Sequence, residues 1–207
     1  MPCCKKMLKL FCKFALVLGL CLGVSVAMAE GIVVSKAETR LVDDAYEMQA
    51  DFKITLPVSV AEALKHGVVL NFVSELTITR SRWYWLDTAV VQNEQTTKLS
   101  YNALTRQYRI SRGTLFQGFN NLDSALRVLG HQSAPSIPVA ALNSSDGYVV
   151  RFIKGETRYT AFAQMRLDIS QLPKPLQVSA LTNSEWNLES ERHTWAVQAD
   201  GEEGGKP

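Results

Sequence analysis

From Tyr46 to Leu56 apolar and polar residues alternate without interruption. Tyr46, Met48, Ala50, Phe52, Ile54 and Leu56 fall on one side, and Glu47, Gln49, Asp51, Lys53 and Thr55 on the other. Successive side chains of an extended chain point to opposite faces, so this run predicts a strand about 36 Å long with one buried face. Pro57 ends it. Val68, Leu70, Phe72, Leu76 and Ile78 alternate with Asn71, Glu75, Thr77 and Thr79 and predict a second long strand. Trp83 to Val91 continues the chain, with Asn93-Glu94-Gln95 as a turn, and Thr97–Tyr101 and Gln107–Ser111 read as further strands. A hairpin is expected where Tyr148, Val150 and Phe152 precede Lys154-Gly155-Glu156 and the alternating run Tyr159 to Ile169 follows. Trp186, Leu188, Trp195 and Val197 predict one or two short closing strands.

The period changes in two places. Ser59 followed by Glu62 has the spacing of a capping box, and a short helix is expected from there to His66 with Gly67 as its stop. Leu122, Ala125, Leu126 and Leu129 recur at helical spacing, with Asn120 or Asn121 as cap and Gly130 as terminator. Gln132 to Pro138 reads as a crossing loop, Asn143 to Gly147 as a turn, and Pro173 and Pro175 as a break at a sheet edge. Roughly seven to nine strands and two short helices, with no βαβ rhythm, predict an all-β chain. The expected architecture is a two-sheet antiparallel β-sandwich containing a meander, with a partly closed barrel as the alternative.

Composition sharpens this picture mainly at the N-terminus. All four cysteines lie at or before Cys21, and the first 13 residues hold four lysines and no acid. Phe14–Val26 is apolar, and Ala27-Met28-Ala29 places small residues at the −3 and −1 positions. This is the order of a secretory signal peptide cut before Glu30. The chain is therefore expected to divide into a cleaved leader at 1–29, one domain at 30–198 and an acidic, glycine-rich disordered tail at 199–207. Export follows, with no stable membrane insertion after cleavage. Without the leader, 18 Lys and Arg face 20 Asp and Glu. No net positive field is left for nucleic acid, and cysteine chemistry is excluded from the body.

Catalytic signals are sparse. His66, His131 and His193 stand at no metal-ligand spacing, and no nucleophile elbow or phosphate-binding loop occurs. The sequence therefore predicts no enzyme, metal or cofactor. The densest stretch is Arg80-Ser81-Arg82-Trp83-Tyr84-Trp85. In an extended chain its tryptophans share one face, and Arg82 and Tyr84 share the other. Arg80, Arg82, Tyr84 and Arg109 form the expected interaction surface, since aromatic residues and arginine dominate binding hot spots. A second cluster spans Arg106 to Arg109 and includes Arg112. Arg106 has the strand parity of Tyr108 and Ile110, so a structural ion pair with Asp168 is expected for it.

Four blocks carry a resemblance. They are R-x-R-W-Y-W from Arg80, L-S-Y-N-A-L-T-R-Q-Y-R from Leu99, R-L-D-I-S-Q-L-P-K-P-L-Q from Arg166 and W-N-L from Trp186. Over about Ile32–Ser190 the chain resembles a proteobacterial family of exported single-domain proteins of unknown function. The resemblance implies a Gram-negative periplasm and no known cofactor. It also implies a membrane-bound sensor histidine kinase as a candidate envelope partner, and it assigns no catalytic residues. Three functions stand side by side: a non-enzymatic interaction or sensing-accessory module of the cell envelope, a binder of a small apolar or lipidic ligand between the sheets, and a hydrolase. The last requires one of the histidines beside a serine and a carboxylate.

Overall fold

The alternating runs build two antiparallel sheets. The computed structural model describes residues 31–80, 88–138 and 159–197. In the smaller sheet β1 (Gly31–Val42) pairs with β2 (Ala45–Thr55), whose other side carries β7 (His131–Ser133) and β8 (Ile137–Pro138). The larger sheet contains β3 (Leu70–Arg80), β4 (Thr88–Asn102), β5 (Gln107–Arg112), β6 (Leu115–Phe119), β9 (Tyr159–Leu167) and β10 (His193–Val197). They run in the order β10-β9-β3-β4-β5-β6. The expected meander is the β3–β6 half of this sheet. The two sheets pack as a sandwich and do not close into a barrel.

Parity places the core. Phe52, Ile54, Leu70, Phe72, Leu76, Ile78, Met165 and Leu167 are all buried, as their alternation requires. The smaller sheet and the larger sheet share one apolar cluster, to which Tyr108 and Ile110 of β5 also belong.

Both expected helices form. In α1 (Val58–Lys65) the stop at Gly67 is a Schellman arrangement. Gly67 N–H donates to the Leu64 carbonyl and Val68 N–H to the Ala63 carbonyl, each at 3.0 Å. Gly67 has φ +92°, where a Cβ is strained. The capping box does not form: the helix begins one residue earlier, Pro57 is its cap, and the Ser59 hydroxyl is buried without a partner. In α2 (Leu122–Gly130) the Asn121 side chain accepts from Ser124 N–H at 2.7 Å, as a cap should.

Tertiary pairing overrides local signals elsewhere. Asn93-Glu94-Gln95 is no turn: β4 runs straight through it, held in register by β3. Gln132 to Pro138 is not a free crossing loop, because its ends pair with β2 as β7 and β8. Pro173 and Pro175 do not break the chain but open a third helix, α3 (Lys174–Thr182). Proline's missing N–H and fixed φ cost nothing in a first turn. The expected strand at Trp186 and Leu188 is a 3₁₀ turn at Ser184–Trp186 with a single bridge from Glu189 to Arg166, so β10 alone closes the sheet. The turn expected at 143–147, the first strand of the hairpin at 148–152 and the disordered tail lie outside the described residues.

Two strands carry no clean alternation. β1 is half-exposed, and on one of its faces Glu38 binds Lys36 at 2.9 Å and Arg40 at 2.6 Å. The Lys36 hydrogen bond, against an opposing desolvation and with help from the Arg40 and Lys36 charges, holds the Glu38 carboxyl below its usual range. A bulge at Ser35 re-phases β1 on β2, and its hydroxyl donates to the Asp51 carbonyl. The β1–β2 turn is Asp43-Asp44, both left-handed (φ 47° and 60°) and exposed to water. β6 is an edge strand with almost every residue exposed.

The position of α2 is fixed by its last residue. Gly130 has an ordinary negative φ, so its helix-terminating role is not conformational. A Cβ there would lie 2.0 Å from the Phe52 carbonyl oxygen of β2. Only glycine permits that approach. It brings the next turn of chain into the interior, where buried Gln132 accepts from the Ser74 hydroxyl of β3 at 3.1 Å and donates to the Leu129 carbonyl. Gln132 thus joins the smaller sheet, the larger sheet and α2 through one amide whose polar atoms are satisfied.

Two stability predictions follow from this packing. Phe72→Ala removes a fully packed ring and should cost about 3–5 kcal/mol in denaturant unfolding, and a loss under about 1 kcal/mol would put Phe72 on the wrong face. Gly130→Ala should destabilise the chain by about 1–3 kcal/mol, the usual cost of overpacking, because the clash is with backbone that cannot rotate away. An unchanged unfolding midpoint would contradict the close approach.

Candidate functional site

The four arginine and tyrosine positions of the expected surface divide. Arg80 ends β3, in register with Thr88 on one side and Tyr159 on the other. Arg82 and Tyr84, with Trp83, Trp85 and Asp87, lie outside the described residues. Arg109 is exposed on the outer face of the larger sheet, its guanidinium 4.9 Å from the centroid of the Phe116 ring on β6. That is cation–π distance. Phe116 and Leu115 are themselves 69% and 76% exposed.

The expected ion pair is not formed. Arg106 is exposed in the β4–β5 turn with a left-handed backbone (φ 54°), so strand parity does not extend to it. Asp168 instead caps the 3₁₀ turn at Ile169–Gln171, accepting from Ser170 N–H at 3.0 Å and from the Ser170 hydroxyl at 2.6 Å. Strand parity holds at the other end of β5. Arg112 continues the row of Tyr108 and Ile110 and is the arginine that turns inward.

Arg112 lies at one side of a cleft of about 470 Å³ between α2 and the β5–β6 hairpin. Phe119 of β6, Ser124, Arg127 and Val128 of α2, and His131 of β7 complete its lining. The Arg112 guanidinium is held from two sides, Nε donating to the Thr97 hydroxyl and Nη2 to the His131 carbonyl, both at 3.4 Å. Arg127 Nη2 donates to the Ser124 hydroxyl at 3.3 Å. The His131 ring is anchored through Nδ1 by the Asp51 carboxylate at 2.7 Å. No carboxylate lines the cleft, and neither Arg112 nor Arg127 has an acidic partner among the described residues. On a body whose net charge is negative, this is a local concentration of cations.

Among the described residues the His131 ring pairs with a carboxylate and no hydrogen bond joins it to a serine. His66 Nδ1 is occupied by the Glu62 carbonyl of its own helix at 2.8 Å, and His193 stands 6.0 Å from the Trp195 ring centroid. Among the described residues no three His, Asp, Glu or Cys side chains come together as a cation site. A second cleft of about 480 Å³ lies between the start of β1 and residues 189–193. Its Glu189 and Glu191 offset Arg192 and His193, and the Arg192 guanidinium sits 4.3 Å from the Phe162 ring centroid. Both clefts open on the surface.

A family described as a domain of unknown function (DUF4390) matches residues 29–196. The chain belongs to this family. No curated protein and no solved structure matches it. The family's description names no substrate, so residue roles rest on the geometry of this chain. Arg127 and Ser124 carried no sequence signal, because an exposed arginine on the polar side of an amphipathic helix looks like ordinary solvation. Arg112 could have been found by extending the parity of β5 by two residues.

The exposed, unpaired placement of Arg106 makes a direct prediction. Arg106→Ala should leave thermal stability within about 0.5 kcal/mol, as ordinary surface changes do. A loss of about 3–5 kcal/mol, the cost of stranding a buried carboxylate, would restore the ion pair.

Proposed function

We propose that this chain is an exported, non-enzymatic interaction module of the cell envelope that presents its β5–β6 hairpin to a partner protein. One observation carries the reading. β6 is paired only with β5 among the described residues, and it displays Leu115 and Phe116 to water with Arg109 stacked on the ring. Natural sheet edges are guarded by lysine, proline or bulges; Leu-Phe-Gln-Gly-Phe has none of these. Such an edge accepts an added strand through its main chain, while a stacked guanidinium and aromatic pair supplies side-chain grip. Leu104, 97% exposed at the β4–β5 turn, adds apolar surface to the same half of the sheet.

The export half of the reading is supported by the leader pattern and by a family match that starts at residue 29, beside the expected cut. A periplasmic setting makes an envelope protein the partner class, and a membrane sensor kinase is the candidate that the family resemblance adds.

Both halves are testable. Mass spectrometry of the periplasmic fraction should find Glu30 as the first residue, and residues 1–29 still attached in a membrane pellet would contradict export. For the hairpin, tagged wild-type chain, Phe116→Asp and Val178→Asp are compared in capture from envelope extract, Val178 being an equally exposed apolar residue on α3. Phe116→Asp should lose the captured protein and Val178→Asp should retain it, with all three melting within about 0.5 kcal/mol of one another. Retention by Phe116→Asp would sink the hairpin assignment.

A further inference from the structure

The cleft between α2 and the β5–β6 hairpin is a different feature from the partner-binding edge. Its cations point to the inner side of the hairpin, while Arg109 and Phe116 lie on the outer side. We infer that this cleft binds a phosphate monoester whose body is apolar.

The argument begins with charge. Arg112 of β5 and Arg127 of α2 line a space whose walls hold no carboxylate. Two guanidiniums without an acidic partner repel one another, and the repulsion turns to attraction when an anion enters. These groups are not free to swing away from each other. Arg112 is braced by Thr97 and by the His131 carbonyl, Arg127 by Ser124, and His131 by Asp51. The bracing costs little further ordering on binding, which is what preorganisation contributes to affinity.

The chemistry of the donors selects the ligand. Guanidinium forks match the oxygens of phosphate or carboxylate. Two guanidiniums arriving from two elements suit the several oxygens of a tetrahedral phosphate better than the two coplanar oxygens of a carboxylate. Each wall also carries an apolar residue: half-buried Phe119 on the hairpin and Val128 on α2. A bare phosphate leaves these residues wet, whereas an aryl or alkyl group covers them. A soluble monoester and the headgroup of an anionic phospholipid share this chemistry.

Isothermal titration of the full chain with phenyl phosphate and with inorganic phosphate tests the inference. Phenyl phosphate should bind more tightly than inorganic phosphate. Arg127→Gln, an exposed helix position that folding does not need, should weaken it roughly tenfold or more, the worth of a charged hydrogen bond. Arg106→Gln, in the exposed β4–β5 turn, should leave it unchanged. Arg112→Gln should also weaken binding, and should its loss of bracing unfold the chain, Arg127→Gln alone decides. Flotation with phosphatidylcholine vesicles, with and without phosphatidylglycerol, separates the two sources. Arg127-dependent retention on the anionic vesicles assigns a lipid headgroup, and its absence alongside phenyl phosphate binding assigns a soluble monoester. No binding of phenyl phosphate at millimolar concentration, equal binding by Arg127→Gln, or equal affinity for the two phosphates would overturn the inference.

Discussion

The close approach of Gly130 to the Phe52 carbonyl is the contact on which the rest of the molecule depends. It sets how near α2 stands to β2, and therefore where the chain goes next. One residue on, His131 opens β7 against Asp51; two residues on, Gln132 reaches Ser74 of β3. The smaller sheet, the larger sheet and the helix are thus fastened within three consecutive residues. A side chain at 130 has nowhere to go, because its obstacle is main chain and not the flexible end of a neighbour.

The same contact builds the cationic cleft. Arg127 stands one turn before Gly130 and His131 directly after it, so the seating of α2 carries both toward Arg112 on β5. The His131 backbone carbonyl then completes the circle by accepting from Arg112. Structure and site are therefore not separate layers. Core packing at Phe52 aims charged groups at the surface, and the hairpin that forms one wall of the cleft offers its outer face to a partner. Occupancy of the cleft and engagement of the hairpin edge share β5 and β6, which gives the two surfaces a physical connection.

Much of the fold was legible because β2, β3 and β9 each bury a face. Phe52, Leu70, Phe72 and Ile78 are inside because alternation leaves no other arrangement, and Asn121 and Gly67 mark their helix ends by chemistry that local sequence carries. What escaped was set by partners distant in sequence. β1 owes its extension to pairing with β2, and Asn93-Glu94-Gln95 stays extended because β3 holds it. Arg106 misled because its strand parity was assumed through a turn where the backbone is left-handed, while Arg112, on the same count, does point inward. The cleft itself was invisible: Arg127 and His131 meet Arg112 only after α2 is seated, and no spacing along the chain announces that meeting.

Seating α2 beside the hairpin creates a place for an oxyanion. Tungstate is a tetrahedral oxyanion with a strong anomalous signal, and a crystal of the full chain soaked in it should show an anomalous peak within hydrogen-bond reach of the Arg112 and Arg127 guanidiniums. Peaks confined to other exposed cations such as Lys36 and Arg40, with none between α2 and the β5–β6 hairpin, would contradict it.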